Sequence, residues 1–353
     1  MTDPTGASAA DDSLATRYDV ALLDLDGVVY VGDHAVPGAA QGLAAARAAG
    51  MRLAFVTNNA GRPAPEVAAH LRALGIAADE DDVVTSAQAG AGLLAERLPP
   101  GAPVLAVGGP GVADALRAAG LAAVLPAGDA TPSVAAVLQG FGRDVAWGDL
   151  AAAAVAVRGG ARWILTNPDL TLPLPAGPAP GNGSLARAVE AAAGRAPDDV
   201  AGKPHPALMQ ASVTRTGARR PLVVGDRLDT DIAGASRSSI DSLLVLTGIA
   251  DIAAVIGAAP GERPDYIGAN LGALVASPAA TGGPQGPQRD AGAWCLPGAR
   301  AWVDGEGELR VEAAGDWLAG VRCACAAAWA QAGTPRMLEA AASLERARRT
   351  VGS

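Results

Sequence analysis

Short apolar runs alternate with segments of helical period along most of the chain, and the alternation predicts a parallel sheet covered by helices on both faces. Positions 19–24 read as a first buried strand, 37–50 as a helix stopped by Gly50, 52–57 as a second strand and 65–74 as a helix stopped by Gly75. The rhythm continues with a helix to about 98, a strand at 104–108, a helix near 112–119, a strand at 134–138, a helix near 147–158 and a strand at 163–166. The stretch 170–183 holds four prolines and three glycines, which excludes a helix and predicts a loop. Helices near 184–193 and 206–213, a strand at 221–224, a helix around 231–236 and the apolar run 243–246 complete the series.

This order leaves room for a complete α/β domain inserted at 85–197, so that 18–84 and 198–275 share one discontinuous core. Residues 276–293, with Pro278, Pro284 and Pro287, have the composition of a linker. Beyond them, 294–353 reads as a small α+β extension: a hairpin of 299–303 and 308–311 around Asp304-Gly305, then helices at about 315–331 and 335–350. The first 17 residues are small and polar and read as a disordered tail; they lack the basic start and apolar middle of a secretion signal.

Polar groups punctuate the apolar strands at four places: Asp24 with Asp26, Thr57 with Asn58, Lys203, and Asp226 with Asp229 and Asp231. In an open parallel sheet the strand ends converge on one edge, where ligands bind. Several carboxylates meeting there with a single lysine repel one another unless a divalent cation neutralises them. Donors that are all oxygen favour a hard cation such as Mg²⁺, and His34, His70 and His205 match no zinc spacing. Taken singly, each motif has a plainer reading. Asp is common where a strand meets a turn, Thr57-Asn58-Asn59 suits a capped turn, and an isolated lysine is usually solvated. The turn Gly108-Gly-Pro-Gly111 lacks both a Walker lysine and the Gly-x-Gly-x-x-Gly spacing, and reads as a strand-to-helix turn of the insert.

Taken together the four segments fit phosphoryl transfer. Asp24 attacks phosphorus, Lys203 and the cation hold the equatorial oxygens, and Asp26 protonates the leaving oxygen and later activates water.

Composition narrows the partners. The formal net charge of -9, without a basic patch interleaved with aromatics, argues against nucleic acid. No run has the length and purity of a membrane span. Cys295, Cys323 and Cys325, an odd number clustered near the C-terminus, form no disulfide framework and point to a reducing, cytoplasmic compartment.

On these residues the chain resembles the haloacid dehalogenase superfamily of phosphatases. Asp24-Leu-Asp-Gly-Val28 matches its first motif, Thr57-Asn58 its second, Lys203-Pro204 its third and Gly225-Asp-Arg-Leu-Asp-Thr-Asp231 its fourth. Asn58-Asn59, Gly202-Lys203-Pro204 and Leu246-Thr-Gly248 are similar to the nucleotidase and 4-nitrophenylphosphatase branch. The likeness is greatest to actinobacterial glycerol 3-phosphate phosphatases, which carry a C-terminal extension likened to part of an acetyltransferase fold. The resemblance implies a Rossmann-like core with a parallel sheet, a cap inserted between the second and third motifs, and Mg²⁺ as cofactor.

It also implies roles. Asp24 is then nucleophile and metal ligand, and Asp26 is acid and base with its carbonyl on the metal. Thr57, Asn58 and Lys203 bind phosphate, Asp226 is a metal ligand, and Asp231 binds directly or through water. The branch commonly has Ala-Gly where this chain has Ser238-Ser239-Ile240, so a positive φ there would strain Ser239 by about 1 kcal/mol.

Substrate choice falls to the insert, where Gln139 to Phe141, Asn167 to Asp169 and Gly181 to Ser184 are the polar candidates, with Asn167 and Arg227 as substrate binders. Glycerol 3-phosphate fits a capped site. Phosphoglycolate, a sugar phosphate or pyridoxal phosphate remain open, and phosphoglycolate needs a cation such as Arg227 or Arg62. A protein that binds such a metabolite without turnover is the reading from another class, against which the intact Asp24 and Asp26 stand. Pairing of two copies through the cap is a further expectation.

Overall fold

Residues Val20–Leu23 are all buried, which explains why this strand shows no apolar and polar alternation: it is covered on both faces. The computed structural model describes residues 12–126, 133–174, 177–276 and 286–351. Contacts divide the chain into two compact units, one of Met1–Leu53, Arg219–Ser236 and Ile240–Ser353, the other of Ala54–Ala218 with Arg237–Ser239. Both are α/β with parallel strands.

In the first unit, Val20–Leu23 pairs in parallel with Pro221–Gly225, which pairs with Asp241–Val245, which pairs with Tyr266–Gly268. The register sets Leu23 beside Val224, so Asp24 and Asp226 emerge from the carboxyl ends of neighbouring strands. Between Pro221–Gly225 and the helix Ala233–Ser238, the residues Leu228–Ile232 form a π-helical turn, where the sequence pattern predicted plain helix from about 231. Such a turn re-aims side chains and is frequent at functional sites. Here it lays Asp231 against Gly225, where a Cβ would lie 2.2 Å from that of Asp231.

The same unit holds the C-terminal extension. Four antiparallel strands, Gln288–Asp290, Ala293–Leu296, Ala299–Val303 and Leu309–Ala313, precede the helices Trp317–Trp329 and Leu338–Val351. The hairpin expected at 299–311 is thus the second half of a four-stranded sheet, two strands of which reach into the expected linker and beyond it. The rest of that linker, 277–285, lies outside the described residues, as do 1–11 of the expected tail. Within the expected tail, the helix Leu14–Arg17 buries Leu14, and Arg17 pairs with Asp12. Ile252, Val255 and Ile256 share one apolar core with Val321, Cys325 and Leu344 of the extension.

In the second unit, the strand Arg52–Thr57, most of which belongs here, pairs in parallel with Val83–Thr85. The insert is a five-stranded parallel sheet in the order Asp199–Val200, Arg162–Leu165, Ala136–Gln139, Pro103–Val107, Ala122–Val124. Its core gathers around Trp163, fully buried against Val137, Val157 and Val189. The loop expected at 170–183 is an antiparallel ribbon of Thr171–Leu174 and Gly177–Pro180, with Pro173 opposite Pro178. A two-stranded ribbon has two open edges, so proline can sit where a central strand would reject it.

Candidate active site

Three carboxylates converge in the first unit. Asp24, Asp226 and Asp231 each offer an oxygen, and these oxygens lie within 4.8 Å of one another. Asp226 and Asp231 are each only 1% exposed, whereas Asp24 is half-buried and Asp26 is exposed. The local fold explains each placement. The Asp24 N–H donates to the carbonyl of Val224 at 2.8 Å, which continues the parallel ladder one step past Leu23. The Asp26 side chain stands on a tight turn, where the N–H of Gly27 donates to Tyr30.

Asp226 is seated by small residues. Its Oδ2 accepts the N–H of Ile249 at 2.7 Å, and a Cβ on Gly248 or Gly27 would fall 1.9 or 2.4 Å from that oxygen. Thr247 Oγ1 donates to the carbonyl of Gly27 at 2.7 Å and ties the two glycine segments together. Asp231 accepts the N–H of Arg227 at 3.2 Å across the π-helical turn. Two buried carboxylates and a third beside them are repulsive when ionised, and an oxygen cluster of this size fits a hard divalent cation. No histidine or cysteine belongs to it.

Two other residues of the fourth motif pair their side chains with each other. Asp229 and Arg227 form a two-pronged pair at 2.8 and 3.0 Å, and the guanidinium holds the Asp229 carboxyl below its usual range.

The second unit gathers the other expected site residues. Thr57 is 3% exposed and its Oγ1 accepts the N–H of Asn59. Lys203, 2% exposed, follows Gly202 and precedes a cis proline, and its Nζ donates to the carbonyl of Val56 at 3.2 Å. The ammonium therefore sits at the end of the strand that carries Thr57. Asn58 spends its side chain on protein: Oδ1 accepts the Lys203 N–H at 2.8 Å, and Nδ2 donates to the Lys203 carbonyl at 3.0 Å and to Asp169 Oδ2 at 3.2 Å.

Asn167, expected to meet substrate, is buried, and it also bonds within the protein. Its Nδ2 donates to the Asn58 carbonyl at 2.7 Å and its Oδ1 accepts the Asp169 N–H. Gln139 takes the indole N–H of Trp163, and Asn182 donates to the carbonyls of Asn167 and Gln139. The residues that sequence reasoning missed are Ser86, whose hydroxyl donates to the Asn58 carbonyl at 2.6 Å, and the glycine pair around Asp226. Ser86 had one visible signal, a polar residue opening a helix right after a strand; the glycines lay inside the motifs at 24–28 and 246–248, with no role of their own assigned. Gly108 and Gly109 serve close approach, for a Cβ on Gly109 would lie 2.5 Å from the carbonyl of Gly61.

The described residues contain no helix long and apolar enough to cross a membrane.

Comparison with known proteins follows the same motifs. The family described as haloacid dehalogenase-like hydrolase matches residues 21–122, and a HAD-hydrolase-like family matches 200–274. The chain is 49% identical over 262 residues to a D-glycerol 3-phosphate phosphatase of Mycobacterium tuberculosis, covering 74% of this chain and 72% of that protein. It is 38% identical over 235 residues to an acid sugar phosphatase of Staphylococcus saprophyticus, covering 66% of this chain and 88% of that protein.

Among solved structures, the glycerol phosphate phosphatase of Mycobacterium tuberculosis in complex with magnesium superposes with a TM-score of 0.83 at 44% identity, over 95% of this chain and 98% of that one. The p-nitrophenyl phosphatase of Archaeoglobus fulgidus gives 0.67 at 29% identity, over 73% and 98%.

Proposed function

The chain belongs to the haloacid dehalogenase-like hydrolases and is a magnesium-dependent phosphoric monoester hydrolase of that family, and from that premise we propose glycerol 3-phosphate as its substrate. The observation that carries the reading is the convergence of Asp24, Asp226 and Asp231 on one point at the ends of neighbouring parallel strands. Asp24, Asp226, Asp231 and the Asp26 carbonyl would hold Mg²⁺, which supplies positive charge for the phosphoryl oxygens.

The protein groups then divide the work. An Asp24 oxygen bonds to phosphorus as the bond to the glycerol oxygen breaks, and Asp26, protonated at the start, gives that oxygen its proton. Glycerol leaves and an aspartyl phosphate remains. Asp26, now ionised, takes a proton from water as the water oxygen bonds to phosphorus, which releases phosphate and restores both carboxyl groups. The exposure of Asp26 supports its place beside the leaving group and the water. Thr57 and Lys203 receive phosphoryl oxygens, and the burial of Lys203 supports a fixed cation whose field water screens little.

In the same reading the insert expected at 85–197, whose sheet runs on to the strand Asp199–Val200, sets selectivity. The enzyme is cytoplasmic, supported by the free thiols Cys295, Cys323 and Cys325. Two copies pair through the insert, supported by the exposure of Trp147 and Val155 on one helix. Nucleic acid is no partner, in keeping with the net charge of -9.

Comparing kcat/KM over glycerol 3-phosphate, phosphoglycolate, sugar phosphates and pyridoxal phosphate at one pH tests the substrate. Glycerol 3-phosphate should lead. A clear lead for phosphoglycolate would overturn the choice.

A further inference from the structure

We propose that Asp169 is a positioning residue for Lys203, acting through the side-chain amide of Asn58; the inference rests on the reading of Lys203 as the phosphate clamp. The amide of Asn58 grips both backbone groups of Lys203, accepting its N–H at 2.8 Å and donating to its carbonyl at 3.0 Å. This two-point grip holds the residue at its backbone, so it determines where the side chain starts. At the other end of the side chain, Nζ donates to the Val56 carbonyl at 3.2 Å.

A grip of this kind works in one orientation of the amide only. Turned over, Asn58 would point its NH₂ group at the Lys203 N–H and its oxygen at the Lys203 carbonyl. The Lys203 backbone itself opposes the turned-over amide, and Asp169 reinforces that choice, because an ionised carboxylate accepts and never donates. With Oδ2 at 3.2 Å from Asn58 Nδ2, it rewards the working orientation and repels the other. Asp169 is itself placed by its own backbone N–H, which donates to Asn167 Oδ1, while Asn167 Nδ2 and Ser86 Oγ both donate to the Asn58 carbonyl. Gly202 completes the fit, since a Cβ there would lie 2.6 Å from Asn58 Oδ1 and 2.5 Å from the Thr166 carbonyl.

A lysine that is 2% exposed cannot recover a lost position by swinging through solvent, so loosening the grip should weaken its hold on phosphate and slow turnover together. The test compares native protein with Asp169→Ala, Asp169→Ser and Asp169→Asn, all with Mg²⁺. It reads kcat and KM for 4-nitrophenyl phosphate, calorimetric binding of inorganic phosphate, and the unfolding midpoint.

Asp169→Ala and Asp169→Ser should bind inorganic phosphate about tenfold more weakly and lose kcat by a similar factor. Asp169→Asn, whose amide oxygen can still accept from Asn58, should restore both to within about threefold of native. If Asp169→Ala does not fold, the comparison rests on Asp169→Ser and Asp169→Asn. Phosphate binding and kcat within twofold of native in Asp169→Ala or Asp169→Ser would overturn the inference. So would an Asp169→Asn as impaired as either, or losses that merely follow a lowered unfolding midpoint. Native protein that neither turns over the aryl phosphate nor binds inorganic phosphate would instead overturn the function on which the inference rests.

Discussion

Ser239 holds φ at +55°, a left-handed conformation that glycine adopts freely and serine does not. It is the first residue past the helix Ala233–Ser238, whose end is closed by the Ile240 N–H donating to the Ala235 carbonyl, the position where helices favour glycine. Ser239→Gly should therefore raise stability by about 0.5 kcal/mol, the gain in φ less the freedom glycine adds to the unfolded chain. An unchanged or lowered urea midpoint would count against that. The glycines beside Asp226 predict the reverse effect. Gly248→Ala must displace the Asp226 carboxylate, 1.9 Å from the added Cβ, and should weaken Mg²⁺ activation by roughly 10- to 100-fold. Titrating activity against Mg²⁺ checks this, and a native activation constant would refute it. The meeting of Asp24, Asp226 and Asp231 was legible at this scale because several carboxylates at converging strand ends repel one another without a cation, although each alone reads as a turn residue. The bonds that Asn58 and Asn167 make to backbone were not legible, because sequence cannot tell which backbone groups an amide will reach.

At the scale of elements, strands read more clearly than ribbons. Val20–Leu23 and Pro221–Gly225 are buried on both faces, so burial alone writes an apolar run into the sequence. The ribbon at 171–180 carries prolines at its open edges, and the strands Gln288–Asp290 and Ala293–Leu296 are mostly exposed or half-buried, so neither shows a periodic signal. The helix Pro206–Thr216 is preceded by His205 at its N-cap, whose backbone N–H donates to the Gly202 carbonyl. Burial holds the His205 imidazole below its usual pKa, helped by the charge of Arg237 and opposed by Asp199. The folded protein thus binds fewer protons at this imidazole than the unfolded chain does. Its stability from this group is complete above about pH 6.5 and falls as pH drops through that value toward the folded pKa. The urea midpoint should fall more between pH 7.5 and 5.5 in native protein than in His205→Gln; equal falls would show that His205 contributes no linkage.

At the scale of the whole molecule, the extension is part of the core it follows. Trp329 donates its indole N–H to the Ile256 carbonyl at 2.9 Å and lies under the Arg263 guanidinium at 5.2 Å, while Arg348 donates to the Leu246 carbonyl. Trp329→Ala should cost about 2–3 kcal/mol, less than for a fully buried tryptophan because the ring is half-exposed. A denaturant midpoint within error of native would contradict the shared core. Cys325 is fully buried in that core, and burial raises its thiol well above the usual range, which makes it a packing group with no nucleophilic character. The overall order of core, insert and extension was visible in the sequence, because each change of pattern follows a change in what the strands are packed against. The merging of extension and core was not visible, since nothing in the pattern of one segment names the apolar face that covers it. The central claim is that Asp24, with a divalent cation held at its strand end, performs the phosphoryl transfer. Phosphate release from glycerol 3-phosphate by native protein and Asp24→Asn, each with Mg²⁺ and with excess chelator, tests it most directly. The account predicts rapid release by native protein with Mg²⁺ alone and a loss of at least about 10³-fold in the other three cases; undiminished release by Asp24→Asn, or by native protein in chelator, would contradict it.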